Sequence, residues 1–104
     1  MNYSIVMTAS AEDDLREIFK YIAFDLQSVQ NAAGQIDRLE QAIASLRTMP
    51  ERFRVYNSFT WRERNLRIMP VDHYLVFYIP THDNCTVTVI RILYGGRDID
   101  SQLK

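Results

Sequence analysis

His73-Tyr74-Leu75-Val76-Phe77-Tyr78-Ile79 is the stretch on which the fold turns. Every residue after the histidine is apolar or aromatic, with no polar alternation, so the segment reads as a strand covered on both faces and therefore central in a sheet. Pro80-Thr81-His82-Asp83-Asn84 has the composition of a turn, and a second strand follows from Cys85 to about Tyr94, ended by Gly95-Gly96. Upstream, Trp61-Arg62-Glu63-Arg64-Asn65-Leu66-Arg67-Ile68-Met69 reads as a third strand. Arginines Arg62, Arg64, Arg67 and Arg91 are threaded through these strands, and Arg97 lies just past them. A sheet needs alternating apolar residues to bury a face, but it has no need of guanidinium groups. Their density predicts a surface that meets an anion or a carboxylate-rich partner.

Working outward, Asn2 to Met7 alternates enough for a short entry strand. Ser10 followed by Asp13 approximates a capping box, and Leu15, Ile18, Phe19, Ile22 and Leu26 recur at helical spacing, which predicts a helix over 11–26 with those side chains inward. Ser28 opens a second helix whose packing seam is Ile36, Leu39, Ile43 and Leu46, and Met49-Pro50 stops it. Gly34 inside that helix costs roughly 1 kcal/mol relative to alanine. The short connection implies an antiparallel hairpin, and 51–60, which lacks a period, is expected to fold back over the core. The expected architecture is a single domain over 1–104: a two-layer α+β fold of order β-α-α-β-β-β, with an antiparallel sheet and the helical hairpin packed on one face.

At 104 residues, with 47% hydrophobic and 24% charged residues, the chain has the balance of an ordinary globule. No apolar run reaches the roughly 20 residues of a membrane helix and no leader is visible, so no membrane partner and a cytoplasmic location are expected. Cys85 is the only cysteine, which excludes an internal disulfide and suits a packed thiol. His, Cys, Asp and Glu show no metal-ligand spacing, so neither metal nor other cofactor is expected. The net charge of −1 conceals a sorting. Residues 1–50 carry four basic and seven acidic side chains, whereas 52–97 carry seven arginines against three carboxylates. A chain that held nucleic acid chiefly through phosphates would be basic overall, so the balance argues against general nucleic-acid binding while allowing a local cationic groove.

Leu66-Arg67-Ile68, Tyr74-Leu75-Val76-Phe77-Tyr78 and Arg91-Ile92-Leu93-Tyr94-Gly95-Gly96-Arg97-Asp98-Ile99, together with Ala11-Glu12-Asp13-Asp14-Leu15, Tyr21-Ile22 and Ala42-Ile43-Ala44-Ser45-Leu46 before Met49-Pro50, resemble the RelE/ParE superfamily of toxins from bacterial type II toxin–antitoxin modules. The resemblance spans almost the whole chain. It implies a compact α+β toxin that inhibits growth and is held inactive by a small cognate antitoxin, as a hetero-oligomer. ParE-like members inhibit DNA gyrase; RelE-like members cut messenger RNA on the ribosome without a metal. Whether this chain is an enzyme therefore stays open at this point, as does a degenerate toxin that only binds antitoxin.

Cleavage by a ribose 2′-hydroxyl needs a base, an acid for the leaving oxygen and cations around the transition state. Arg67 and Arg91 match strand arginines of nucleolytic relatives, and Tyr94 falls near the place where some of them end in a His-Tyr pair. Leu93 stands where the histidine would be, and the only lysines are Lys20 and Lys104, so the usual acid and lysine pair are missing. Glu63 and His73 are the remaining candidates for proton transfer. The bland alternative pairs Arg67 and Arg97 with Asp72, Asp98 or Asp100 at strand ends. Strict alternation puts Arg91 on the face of Val87 and Val89, so either a bulge rotates the strand or the guanidinium is partly buried with a partner. His82 belongs to a turn and is expected to be solvated. Arg52, Arg54, Arg62 and Arg64 around Trp61, with Arg97, are expected to contact the antitoxin or the target.

Overall fold

The computed structural model describes residues 2–96 and 99–103. Strand β1 (Ser4–Met7) leads into helix α1 (Ala9–Lys20), which continues through a π-helical turn (Tyr21–Asp25); helix α2 (Val29–Ala44) returns antiparallel to it. After three short 3-10 turns come β2 (Arg67–Val71), β3 (Tyr74–Thr81), β4 (Thr86–Tyr94) and a one-turn helix α3 (Ile99–Gln102). The cap of α1 is Thr8 rather than Ser10: its Oγ1 accepts from the Ala11 amide at 3.0 Å and donates to the Ile90 carbonyl at 2.9 Å, tying helix start to sheet. Ser28 caps α2 as its position suggests, through the Asn31 amide.

The sheet order is β1-β4-β3-β2, so β3 is interior, with five of its eight residues buried and the other three partly so. Strands β2, β3 and β4 are antiparallel, while β1 joins β4 in parallel, in register Ser4↔Thr86 to Met7↔Val89. The sheet is thus mixed at one edge, because the helical hairpin carries the chain over the sheet before β4 is laid beside β1. Met69, Val76, Tyr78, Val87, Val89 and Ile92 pack under Ile18, Ile22, Leu39, Ile43 and Leu46 of the helical layer. The opposite face holds a second, smaller core of Leu66, Ile68, Phe77, Leu93 and Leu103, roofed by Tyr56 and Trp61. The strand expected from Trp61 begins only at Arg67; residues 62–64 form a 3-10 turn closed by Asn65 at φ 61°. Arg62 and Arg64 therefore stand on a loop and not on the sheet.

Two irregularities place functional side chains. The π-helical turn inserts a residue into the α1 ladder and rotates the residues after it, so that Leu26, expected inward, is 56% exposed and Phe24 66%. In β4 the register passes from Phe77↔Arg91 to Tyr78↔Val89, leaving Ile90 as a bulge. The bulge breaks the alternation and places Arg91 opposite Phe77, off the row of Val87 and Val89.

Candidate functional site

At Arg91 a bulge and a partly buried ion pair occur together. Its Nε and Nη2 donate to the two carboxylate oxygens of Asp14 at 2.7 and 3.0 Å, and Nη1 donates to the Gln102 carbonyl at 2.6 Å. Asp14 Oδ2 also accepts from the Ile92 amide at 2.9 Å. The carboxylate raises the pKa of Arg91 against the opposing effect of burial. A guanidinium so held ties α1 and α3 to β4 and has its forks filled.

Arg67 is held mainly through one nitrogen, and its Nε is buried with no hydrogen-bond partner among the described residues. Nη1 donates to the Glu51 and Phe53 carbonyls at 2.9 and 2.7 Å, and Nη2 lies 3.5 Å from Glu51 Oε2. The pairing partner is Glu51, not Asp72, which instead accepts from Arg38 Nε at 2.8 Å and Gln35 Nε2 at 2.9 Å. Those bonds, that of Arg38 first, lower the Asp72 pKa. Glu51 continues the network: its Oε1 is 2.6 Å from His82 Nε2, and His82 Nδ1 is 2.5 Å from the Tyr3 hydroxyl. One neutral tautomer satisfies both, with Nε2–H donating to Glu51 and Nδ1 accepting from Tyr3. His82 therefore links Tyr3, just before β1, and the 50–52 turn to the β3–β4 turn, and with 63% of its side chain exposed it is also solvated, as its turn position suggests. Next to it the Tyr78 hydroxyl donates to the Pro50 carbonyl at 2.6 Å, and burial pushes its pKa up to about 12.

Arg67, Arg91 and Tyr94 are not brought to one point. Arg67 faces Tyr78 and Tyr94 faces Tyr74, four residues apart in register along β3; at a strand rise near 3.3 Å that is roughly 13 Å. Tyr94 is 49% exposed and rests against Tyr74 and His73, at ring separations of 5.8 and 6.4 Å. Arg52 closes the end of the α2 segment through the Ser45, Thr48 and Met49 carbonyls, with its guanidinium 4.9 Å over Phe53. Arg54, Arg62 and Arg64 are exposed, Trp61 is half-buried, and Arg64 stacks 5.1 Å over its ring. Arg97 lies outside the described residues. Among the described residues no group of three or more His, Cys, Asp or Glu is placed to hold a metal, and no helix is long and apolar enough to cross a membrane.

An open cleft of about 1090 Å³ lies between α1, α2 and the ends of β3 and β4. Tyr21, Phe24 and Leu26 form its outer lip, Gln35 and Arg38 one wall, and Tyr74, Arg91 and Tyr94 its floor. Tyr21, Phe24, Leu26, Val29 and Tyr94 are each about half exposed or more, a concentration of large apolar side chains that a free surface rarely tolerates. The sequence signal for this lip was present: from Leu15 to Leu26 there are more apolar residues than one helical stripe can bury.

Solved structures with this backbone arrangement are known. The chain is similar to a protein of the chromosomal ParDE toxin–antitoxin system of P. aeruginosa (TM-score 0.72, 14% identity, 88% of this chain and 95% of that one). It is also similar to a chain of the RelBE2 toxin–antitoxin complex of Mycobacterium tuberculosis (TM-score 0.64, 17% identity, 90% and 99%). A third likeness is to a mutant of the E. coli toxin RelE in the free state (TM-score 0.68, 12% identity, 99% and 95%). At such identities the likeness concerns the fold. No curated protein matches the sequence. The family described as "ParE toxin of type II toxin-antitoxin system, parDE" matches residues 5–99, nearly the full length, and the chain thus belongs to the ParE toxin family.

Proposed function

We propose that this toxin acts by binding rather than by cleaving RNA, with DNA gyrase as its target, and that a cognate antitoxin silences it by covering the aromatic cleft. The observation that carries the reading is the internal engagement of Arg67 and Arg91. A nuclease that stabilises a phosphorane-like transition state with arginines needs their forks free and converging on one phosphate. Here the Arg91 guanidinium is filled by Asp14 and Gln102, Nη1 of Arg67 is held by the Glu51 and Phe53 carbonyls, and the two arginines belong to strands on either side of β3. Releasing either would leave a half-buried carboxylate or carbonyl without its donor. The exposed apolar lip of Tyr21, Phe24 and Leu26 supports a protein partner, since an amphipathic helix laid in a groove buries just such a row. The antitoxin–toxin pair would then be a hetero-oligomer.

One preparation tests the target. The purified chain is expected to inhibit supercoiling by gyrase and to leave ribosome-bound message intact. The second reading is a metal-free endoribonuclease, favoured by the exposed hydroxyl-bearing ring of Tyr94 against His73, which could move a proton. Message cut at defined codons, with cleavage abolished in Tyr94→Phe, would establish that reading and overturn the first. Expression without any growth defect would point to a toxin that keeps only its antitoxin-binding role.

A further inference from the structure

Three of the arginines stand outside the networks that fasten the fold. Arg54, Arg62 and Arg64 are exposed, and among the described residues none of them makes an ion pair, in contrast to Arg67 and Arg91. They sit on and beside a loop that is closed at its base, where the Tyr56 amide donates to the Leu66 carbonyl at 2.7 Å. Within the loop the Arg62 amide donates to the Ser58 carbonyl at 2.9 Å and the Arg64 amide to the Trp61 carbonyl at 3.0 Å, so the backbone is internally bonded and presents its side chains in a defined array. Phe59, at the tip, is 94% exposed. Beside it is a hollow of about 550 Å³ lined by Phe59, Trp61, Arg64 and Leu103. Glu63 is the only carboxylate on the loop, and the acidic excess of the chain lies in the helical half.

We propose that this loop is a second docking site, which takes an acidic, extended segment of the neutralising protein partner; the inference rests on reading the chain as the toxin of a toxin–antitoxin pair. Carboxylates of the segment pair with Arg54, Arg62 and Arg64, and one apolar side chain enters the hollow against Phe59 and Trp61. Arginine forks match carboxylates bidentately, and a fully exposed phenylalanine gains most from a partner that removes it from water. A nucleic acid fits the array less well. Single strands stack successive bases on aromatic faces, but the face of Trp61 is already taken by Arg64, which leaves Phe59 alone. Three cations, with Glu63 among them and an acidic helical layer behind, also release few counterions.

The test uses the full chain and the antitoxin encoded beside it, with affinity measured at low and high salt. Arg62→Glu/Arg64→Glu is expected to weaken binding by roughly tenfold or more and to flatten its salt dependence, and Phe59→Ser to weaken it with the salt dependence kept. Thermal unfolding of each variant shows that it is folded. A short single-stranded RNA and its DNA counterpart serve as competing probes. Variants that stay folded and bind antitoxin with unchanged affinity and salt slope overturn the proposal. So does oligonucleotide binding that is lost in Arg62→Glu/Arg64→Glu while antitoxin binding is unaffected. A wild-type chain with no affinity for the antitoxin removes the toxin–antitoxin pairing itself, which separates that failure from failure of the site.

Discussion

Charge at single residues is used here to fasten elements. The Arg91–Asp14 pair is largely enclosed, with side-chain exposures of 24% and 14%, and it joins the first helix to the last strand. Removing one partner leaves the other charge without compensation, so Asp14→Ala is expected to lower stability by about 3–5 kcal/mol, seen as a reduced urea midpoint. Asp14→Leu/Arg91→Met, which removes both charges and keeps apolar volume, is expected to recover much of that loss. Tyr78 makes a prediction in pH. Its phenol is held neutral by burial, with a folded pKa of about 12 against an ordinary 10.0. Between those values the unfolded chain has lost the proton and the folded chain keeps it, so protons bind more to the folded state and stability falls as pH rises through that window. The same direction holds for Tyr3 and Tyr74, whose pKa values burial also raises. Tyr78→Phe is expected to make the alkaline descent shallower. At neutral pH it costs roughly 1–3 kcal/mol because the Pro50 carbonyl loses its donor.

Among the elements, what periodicity carries was legible and what depends on meetings across the chain was not. The unbroken apolar run of Tyr74–Ile79 announced an interior strand and Ser28 the start of the second helix, because caps and apolar spacing act locally, whereas that helix ends at Ala44 in a 3-10 turn (Ser45–Arg47) ahead of the stop expected at Met49-Pro50. The parallel β1–β4 pair, the Thr8 cap shared with Ile90 and the Tyr3–His82–Glu51 bridge join residues far apart in sequence, and no local pattern encodes them. The arginines divide along the same line. Arg91 betrayed itself by violating the strand alternation, whereas Arg67 had no such mark, and its partners on the 51–53 turn became visible only once that turn lay beside β2. The π-helical turn was the feature that hid the cleft, since it turned Leu26 outward against its spacing. Within α2, Gly34 offers a direct check on element energetics. A Cβ built there meets only Arg38 Nη1, at 3.4 Å, the far end of a flexible side chain. Gly34→Ala is expected to stabilise the chain by about 0.5–1 kcal/mol, read as a higher Tm.

For the molecule as a whole, the sorting of charge along the sequence becomes a sorting in space. The helical half carries an acidic excess and the apolar lip of the cleft, while the loop over the other side of the sheet carries the exposed arginines and Phe59. A partner that engages both must wrap from one layer to the other, and the two contacts differ in physical kind. At the cleft the gain is removal of apolar area, which salt hardly screens; at the loop it is attraction between exposed charges, which salt screens within about 10 Å at 0.1 M. Phe24→Ser is therefore expected to weaken antitoxin binding by a similar factor at every salt concentration, leaving the slope of affinity against salt as in the wild type. Arg62→Glu/Arg64→Glu is expected to lose affinity chiefly at low salt, so that its deficit shrinks as salt is added. Because the lip and the loop share no partner residues within the chain, the losses of the combined variant should add to within about 0.5 kcal/mol. Strong non-additivity, measured by titration calorimetry over a salt series, would mean that one segment of the antitoxin serves both surfaces, and an unchanged affinity in Phe24→Ser would remove the cleft from the interface.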